Sequence, residues 1–294
     1  MTPSTTAGPS TGVKQSAARP VLWKRVLDSR FTPPVFITLI LLAGNLSFGI
    51  LESYQKTLLA IVTAIVAEMA LGRIFLNKWP HPASAYITGI SVGILLRSPA
   101  YWTFALCAAL SIASKYALRV RGRHIWNPSN FGICALLFLG SDSVSGLSIQ
   151  WGNNFASLVV IWVLGSLILW RAKRFHITAS YVVSFLLLAL LRAHITGDPW
   201  QSEVSPITGP MYQLFIFFMI TDPRTTVRSR GGQCAVAVIV AVVEFFMRLD
   251  SSIYAPLYAL CWVGPAALLV EMALDARRKR RADSTPALRP EPAH

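Results

Sequence analysis

Long apolar stretches with very few charged residues follow one another along the chain from position 34 to position 274. A helix that crosses a bilayer needs about 20 mostly apolar residues, and fewer when it is broken or flanked by side chains that reach the headgroups. Ten segments meet this requirement, at 34–51, 57–76, 84–96, 100–118, 128–140, 154–170, 177–195, 208–220, 233–249 and 252–274. The sequence therefore predicts an all-α, polytopic membrane protein with about ten transmembrane helices.

The composition supports this class and excludes several others. Of the 294 residues, 54% are hydrophobic and only 14% are charged, whereas a soluble domain carries about 25% charged residues. So much apolar sequence also excludes intrinsic disorder. The formal net charge of +14 would suggest nucleic acid if the protein were soluble. On a polytopic chain it is first a topology signal, and we predict a lipid bilayer and no nucleic acid as its surroundings.

The basic residues fall almost entirely on one side of the ten predicted spans. Of the 27 Lys and Arg residues, all but Lys56, Arg97, Arg192 and Arg248 lie in alternate connections or in the tails. Because cytoplasmic loops are enriched in Lys and Arg, this distribution predicts a multi-pass protein of the cell (inner) membrane with both termini in the cytoplasm. Residues 1–30 are predicted to be a disordered basic tail, residues 31–274 the bundle, and residues 275–294 a basic, Pro-rich tail.

Two of the three short spans begin with the same tripeptide. Ile-Thr-Gly opens the third span at 87–89 and the eighth at 207–209, and each apolar run ends in a proline turn, at Pro99 and Pro223. We predict two five-helix repeats, about 34–140 and 154–274, which are inverted because five is odd. Transporters built in this way place ligand sites near the bilayer midplane, at paired broken helices. The alternative is chance recurrence in a chain with 18 Gly and 18 Pro.

The four cysteines occupy matching places in the two predicted halves. Cys107 and Cys134 are 27 residues apart, and so are Cys234 and Cys261. Thiolates from four helices could hold an iron–sulfur cluster or another metal on the axis that relates the halves. A free Cys in a membrane helix is more often a small apolar residue, and we favour this second interpretation.

Several separated blocks of sequence resemble the RnfD and NqrB membrane subunits of Rnf and sodium-translocating NADH:quinone oxidoreductase complexes. The most specific block is Phe-Phe-Met-Ile-Thr-Asp-Pro at 217–223. The others, in chain order, are Ala67-Glu68, Thr88-Gly89, Lys115, Trp126-Asn127-Pro128 with Gly132, Arg174 with His176, Arg230-Gly231, and Arg248. Together they cover about residues 55–265. They also fit RnfD-like proteins found apart from complete complexes, including the UnbU-like branch.

The resemblance implies a flavin-associated electron-transport subunit that works with other membrane or redox subunits and does not itself bind NADH. Family members with covalent FMN attach it to a Thr in a Ser-Gly-Ala-Thr type of motif after the Asn-Pro helix. Here the connection at 141–153 contains Ser145-Gly146-Leu147-Ser148 and no Thr. This departure argues against covalent FMN and leaves noncovalent FMN or riboflavin. The alternatives are a transporter of flavin or another small solute, and a membrane scaffold of a biosynthetic or redox assembly without its own cofactor.

The resemblance also selects candidate site residues. Those for cofactor binding are Thr88, Gly89, Lys115, Asn127, Thr221, Asp222 and Arg230, and Glu68 is the candidate for an ion pathway. Each also has a structural reading. Asp222 could cap the following turn or pair with an Arg, Lys115 could reach the headgroups, and Asn127 could shape its loop. Glu68, an acid in an apolar span where ionisable groups are costly, could pair with a basic neighbour. We recognise no set of catalytic residues.

Overall fold

The structure, a computed structural model, describes residues 32–49, 51–140, 144–146 and 155–284. The first half contains helices α1 (Thr32–Phe48), α2 (Tyr54–Leu76), α3 (Ala83–Leu95), α4 (Tyr101–Ala117) and α5 (Pro128–Phe138). The second half contains α6 (Phe155–Arg171), α7 (Phe175–Thr196), the short helices α8 (Trp200–Val204) and α9 (Pro210–Leu214), then α10 (Arg230–Leu249) and α11 (Ala255–Ser284). Each of the ten predicted segments therefore contains helix.

Four of the helices are long and apolar enough to cross a membrane. They are α2, α7, α10 and the part of α11 at Ala255–Arg280. Shorter apolar helices include α3, α5 and the segment Pro210–Met219. Large apolar side chains such as Leu58, Leu187 and Trp262 are exposed on the outside of the bundle, as expected of a surface that faces lipid. The predicted all-α membrane class is confirmed.

The eighth predicted segment is the most irregular part of the bundle. It begins as a 3₁₀ helix (Ser205–Thr208), continues as α9 and ends as a π-helix (Phe215–Met219). The Thr178 hydroxyl on α7 donates to the Ile216 carbonyl at 3.0 Å and ties the π-helix to its neighbour. Irregular backbone at membrane depth is tolerated where it is buried in protein, and the residues at 210–217 are buried.

Close contacts between helices depend on small residues. Helix α2 packs along α3 and α4, α7 packs along α10, and α1 packs against α6. A Cβ atom at Gly89 would lie 2.5 Å from the Ile61 Cα, and one at Gly93 would lie 2.5 Å from the Thr57 Cγ2. Small residues of this kind let membrane helices approach one another, so these glycines bring α3 against α2.

Two pairs of very short strands connect helices. Strands β2 (Arg119–Val120) and β3 (Arg123–His124) form an antiparallel hairpin. Its turn residues Arg121 and Gly122 have φ of 51° and 78°, and a type I′ turn requires a positive φ at both positions. Strand β1 (Leu96–Arg97) pairs antiparallel with β4 (Ser145–Gly146), which lies in the connection that lacks the threonine.

Helix α11 extends beyond the last predicted span. It continues past 274 through the basic run to Ser284. The reason is that Arg, Lys and Ala are strong helix formers, and no Gly or Pro interrupts them before Ser284. The predicted tail at 1–30 and the end of the chain at 285–294 lie outside the described residues.

Candidate functional site

A cavity of about 770 Å³ lies at one end of the bundle. It is bounded by the C-terminal ends of α2, α4 and α6, the N-terminal ends of α3 and α5, the β2–β3 hairpin, and the π-helix with the loop after it. Small-molecule sites have volumes of roughly 300–1,000 Å³. The candidate residues that line the cavity are Glu68, Thr88, Lys115, Asn127, Thr221 and Asp222. The cavity is therefore large enough for a small organic ligand and brings together most of the residues selected by the motif blocks.

Lys115 and Glu68 form a buried ion pair in the cavity wall. Lys115 Nζ lies 2.5 Å from Glu68 Oε2, and the two side chains are only 5% and 6% exposed. Lys115 also donates to Ser84 Oγ at 3.2 Å, and the Tyr116 hydroxyl donates to Glu68 Oε1 at 3.1 Å. Buried charges persist when they are paired and hydrogen-bonded. Glu68 thus pairs with a basic neighbour, and Lys115 points into the protein rather than toward the headgroups.

Asn127 links the start of α5 to the loop that contains Asp222. Its Oδ1 accepts from the Asn130 amide at 3.2 Å, as an N-cap does, and from the Ser129 hydroxyl at 2.9 Å. Its Nδ2 donates to Asp222 Oδ2 at 3.1 Å, and the Arg224 amide donates to Asp222 Oδ1 at 2.9 Å. Asn127 and Asp222 therefore have structural roles, and both also line the cavity.

Asp222 and His124, in the loops around the cavity, have shifted pKa values. Burial raises the pKa of Asp222, against the opposing effect of its hydrogen bonds from Arg224 and Asn127. Burial, together with the charges of Arg224, Lys115 and Arg119, lowers the pKa of His124 to about 4. His124 Nδ1 lies 3.1 Å from the Lys115 carbonyl, and its Nε2 lies 3.3 Å from Arg224 Nη1. This arrangement fits a neutral ring that donates from Nδ1 and accepts at Nε2.

Three arginines give the cavity wall an excess of positive charge. Arg119 donates to the Gly122 carbonyl at 3.2 Å, Arg174 donates to the Thr221 carbonyl at 3.3 Å, and Arg224 contacts His124. Within the described ranges, none of the three forms an ion pair with a carboxylate. The wall is therefore electrostatically suited to a ligand with an anionic group.

Two of the candidate cofactor-binding residues lie away from the cavity. Gly89 faces α2, because the close approach of the two helices leaves no room for a side chain. Arg230 is exposed at the start of α10, after the loop has left the cavity. The structure therefore gives Gly89 a packing role and places Arg230 on the surface.

Sequence reasoning missed several residues of the cavity wall. They include Ser84, Tyr116, His124 and Arg224. Tyr116 follows Lys115 directly, so the family block could have suggested it. His124 and Arg224 lie in loops whose basic residues were interpreted as topology signals, and nothing in their local sequence indicates that they meet.

A second buried polar cluster lies at the opposite end of α7 and α10. Glu203 on α8 places Oε2 2.8 Å from Arg192 Nε and 3.6 Å from Arg248 Nη2. Arg248 Nη2 also donates to the Glu203 carbonyl at 3.1 Å. These contacts hold the short helix α8 against the ends of both long helices.

Glu244 extends this cluster into the bundle. It accepts hydrogen bonds from the Tyr181 and Tyr212 hydroxyls, both at 2.5 Å, and lies 3.9 Å from Arg248 Nη1. Only 1% of Glu244 is exposed. The hydroxyls satisfy both carboxylate oxygens, so the cluster is internally paired.

No metal centre is formed by the described residues. This part of the chain contains all four cysteines, yet no three His, Cys, Asp or Glu side chains are grouped so that they could hold a metal ion. Cys107 and Cys134 are buried, and Cys234 and Cys261 are half-buried.

The fold and the cavity define a polytopic helical membrane protein with a ligand-sized site at one end of its bundle. No family model matches the chain. Over 110 residues it is 26% identical to the D subunit of the ion-translocating oxidoreductase complex of Citrobacter koseri. The match covers 37% of this chain and 30% of that protein. This similarity supports the RnfD-like resemblance drawn from the motif blocks.

Proposed function

We propose that this protein is a flavin-associated electron-transport subunit of a redox complex in the cell (inner) membrane. The observation that carries the proposal is the convergence of Thr88, Lys115, Asn127, Thr221 and Asp222 on one cavity of about 770 Å³. These residues come from blocks that resemble RnfD and NqrB subunits, and the chain is similar to an ion-translocating oxidoreductase subunit. A bound flavin would supply the electron transfer, while the protein binds and orients it.

The residues of the cavity match the chemistry of a noncovalent flavin. Asn127 and Asp222 offer an amide and a carboxylate for the polar edge of the ring system, and Phe217 and Phe218 offer aromatic surface. Arg119, Arg174 and Arg224 would favour the phosphate of FMN, although riboflavin would satisfy the polar groups as well. No Thr is present in the connection at 141–153, so we propose noncovalent binding.

We further propose ten spans, with both termini and the cavity on the cytoplasmic side. Basic residues on the other predicted side are paired with acids. Lys56 lies 2.5 Å from Glu52, and Arg192 and Arg248 both contact Glu203. Lys56, Arg192 and Arg248 are thus neutralised, whereas Arg119, Arg174 and Arg224 at the cavity end form no ion pair within 4.0 Å of a carboxylate in the described ranges.

The packing supports two inverted repeats. Helix α2 packs along α4 in the first half, as α7 packs along α10 in the second. The first helices of the halves, α1 and α6, contact each other, as expected for elements beside a twofold axis. An experimental structure in which α1–α5 failed to superpose on the second half through an axis in the membrane plane would refute the repeat.

Other membrane or redox subunits would supply and remove the electrons, because the sequence contains no recognisable NADH-binding motif. The direct test is a visible absorption spectrum of the full-length protein purified from the membrane, before and after dithionite. We expect a noncovalent flavin that dithionite reduces and that separates from the protein on denaturation. A colourless preparation that takes up neither riboflavin nor FMN would refute the proposal.

A transporter of flavin or another small solute is a second candidate. It is favoured by the contrast between the cavity at one end of the bundle and the paired cluster of Arg192, Glu203, Glu244 and Arg248 at the other. Proteoliposomes that accumulate riboflavin without any bound chromophore would support transport. A membrane scaffold without a cofactor would show neither uptake nor a flavin spectrum.

A further inference from the structure

Two cysteines from different halves of the chain meet inside the bundle. The Cys134 thiol on α5 donates to the Leu257 carbonyl on α11 at 3.5 Å, and Cys261 lies on the same helix. Leu257 lies one turn before Cys261, and side chains of an α-helix tilt toward its N-terminus. The Cys261 sulfur therefore reaches over the same turn that the Cys134 thiol contacts.

Other hydrogen bonds hold α5 and α11 together at this point. Asn130, one turn before Cys134, donates its Nδ2 to the Leu257 carbonyl at 3.1 Å. Trp126 donates its Nε1 to the Cys261 carbonyl at 2.8 Å. A disulfide forms without backbone movement only where the two chains are already close. These bonds hold the two backbones close independently of the thiols.

The predicted repeat explains why these two cysteines meet. Cys134 and Cys261 occupy matching places in the two halves, and matching residues can touch each other only beside the axis that relates them. The hydrogen bonds between α5 and α11 place the pair where the two halves join. A covalent bond between them would connect one half directly to the other.

The pair lies next to the apolar outer surface of the bundle. Cys134 is buried, Cys261 is half-buried, and the adjacent Trp262 is 63% exposed on the apolar outer surface. A small neutral oxidant dissolved in lipid can approach Cys261 from this side. Glutathione and thioredoxin, which keep cytosolic thiols reduced, are water-soluble, so a disulfide at this depth would be protected from them.

We propose that Cys134 and Cys261 are a redox-active dithiol that a bilayer-soluble two-electron acceptor of the quinone or diazene class oxidises to a disulfide. Two S–H bonds break and one S–S bond forms. The two electrons and two protons pass to the acceptor, which becomes a hydroquinone or a hydrazine. Helix α5 begins directly after Asn127, which lines the cavity. The disulfide would therefore join this helix to α11 in the second half of the chain. The proposal does not depend on a flavin.

The test uses the full-length protein in lipid nanodiscs and diamide, a neutral diazene, as the oxidant. After oxidation the remaining thiols are alkylated, the protein is digested without reduction, and the peptides are identified by mass spectrometry. We expect one cross-linked pair of peptides, containing Cys134 and Cys261. Its mass should be two hydrogens below the sum of the two reduced peptides, and it should disappear after treatment with dithiothreitol. Cys107 and Cys234 should remain alkylated.

Single variants provide the controls. Cys134→Ser and Cys261→Ser should each abolish the cross-link, whereas Cys234→Ser should leave it unchanged. Diamide should also raise the melting temperature of the wild type and leave that of Cys134→Ser unchanged. A cross-link through Cys107 or Cys234, or four alkylated cysteines in the diamide-treated wild type, would overturn the proposal.

Discussion

Replacing Glu68 with Gln should destabilise the protein strongly, because it leaves the Lys115 ammonium group buried without a counter-charge. In the structure these groups are 2.5 Å apart and their side chains are 5% and 6% exposed, so solvent screens them little. Removing one partner of a buried ion pair costs about 3–5 kcal/mol. Since about 1.4 kcal/mol is a factor of ten, the unfolding equilibrium constant should rise roughly 100-fold to 4,000-fold.

Removing both charges should restore part of the stability that the single substitution removes. Replacing a buried ion pair by apolar residues of similar volume is often neutral or stabilising. We therefore expect the double variant Glu68→Leu with Lys115→Met to be more stable than Glu68→Gln. Lys115→Met alone leaves the Glu68 carboxylate unpaired and should cost about as much as Glu68→Gln.

The assay is reversible unfolding of the purified protein in mixed micelles of increasing SDS content, followed by far-ultraviolet circular dichroism. The matched control is Asp275→Asn, which removes the partner of Arg228 in an exposed pair 4.0 Å apart, with side chains 39% and 75% exposed. Such a pair contributes about 0–1 kcal/mol. The reasoning is refuted if Glu68→Gln costs no more than Asp275→Asn, or if the double variant is no more stable than the single ones.

Three further predictions concern packing, capping and protonation, and the same unfolding assay checks each of them. Gly89→Ala should cost about 1–3 kcal/mol, because the new Cβ would lie 2.5 Å from the α2 backbone. Gly231→Ala should not lower the stability, because the new Cβ would have no atom within 4 Å. Equal losses of stability in the two variants would contradict the close packing of α3 against α2. Asn127→Ala should cost more than Ser229→Ala, which loses about 1 kcal/mol as an N-cap, because only Asn127 also donates to a carboxylate; equal losses would argue against that bond. The pKa of His124 is lowered from about 6.5 to about 4 in the folded protein. Between these two pH values the unfolded chain therefore binds more protons than the folded protein does. Stability should therefore fall as the pH drops through this range, and His124→Gln should reduce that slope; an unchanged slope would argue against a buried neutral ring.

The helices could be predicted from the sequence because lipid exposure requires apolar stretches wherever helix meets the bilayer. The short eighth segment could also be predicted, because its apolar run opens with Ile-Thr-Gly at 207–209 and ends in the turn at Pro223. The end of α11 could not be predicted from apolarity, because the apolar residues stop near 274 while the helix continues to Ser284.

The partners of the polar residues could not be predicted, because they depend on contacts between distant segments. Lys115 and Glu68 are 47 positions apart, and Asn127 and Asp222 are 95 apart. The motif blocks selected all four residues without indicating which pairs would meet. Glu203 could not be recognised from the sequence, because an acid in a polar connection is normally exposed to solvent. In the structure Glu203 is only 2% exposed.

Equilibrium binding of riboflavin and FMN to the full-length protein in nanodiscs, followed by flavin fluorescence, tests the proposed ligand of the cavity most directly. We expect saturable binding of at least one of the two flavins at one site per protein. Asp222→Asn should weaken it about tenfold or more, because hydrogen bonds to charged groups contribute about 1.5–3 kcal/mol. Arg230→Ala, away from the cavity, should bind as the wild type does. Absence of saturable binding by the folded wild type, or equal weakening by the two substitutions, would contradict a flavin in this cavity.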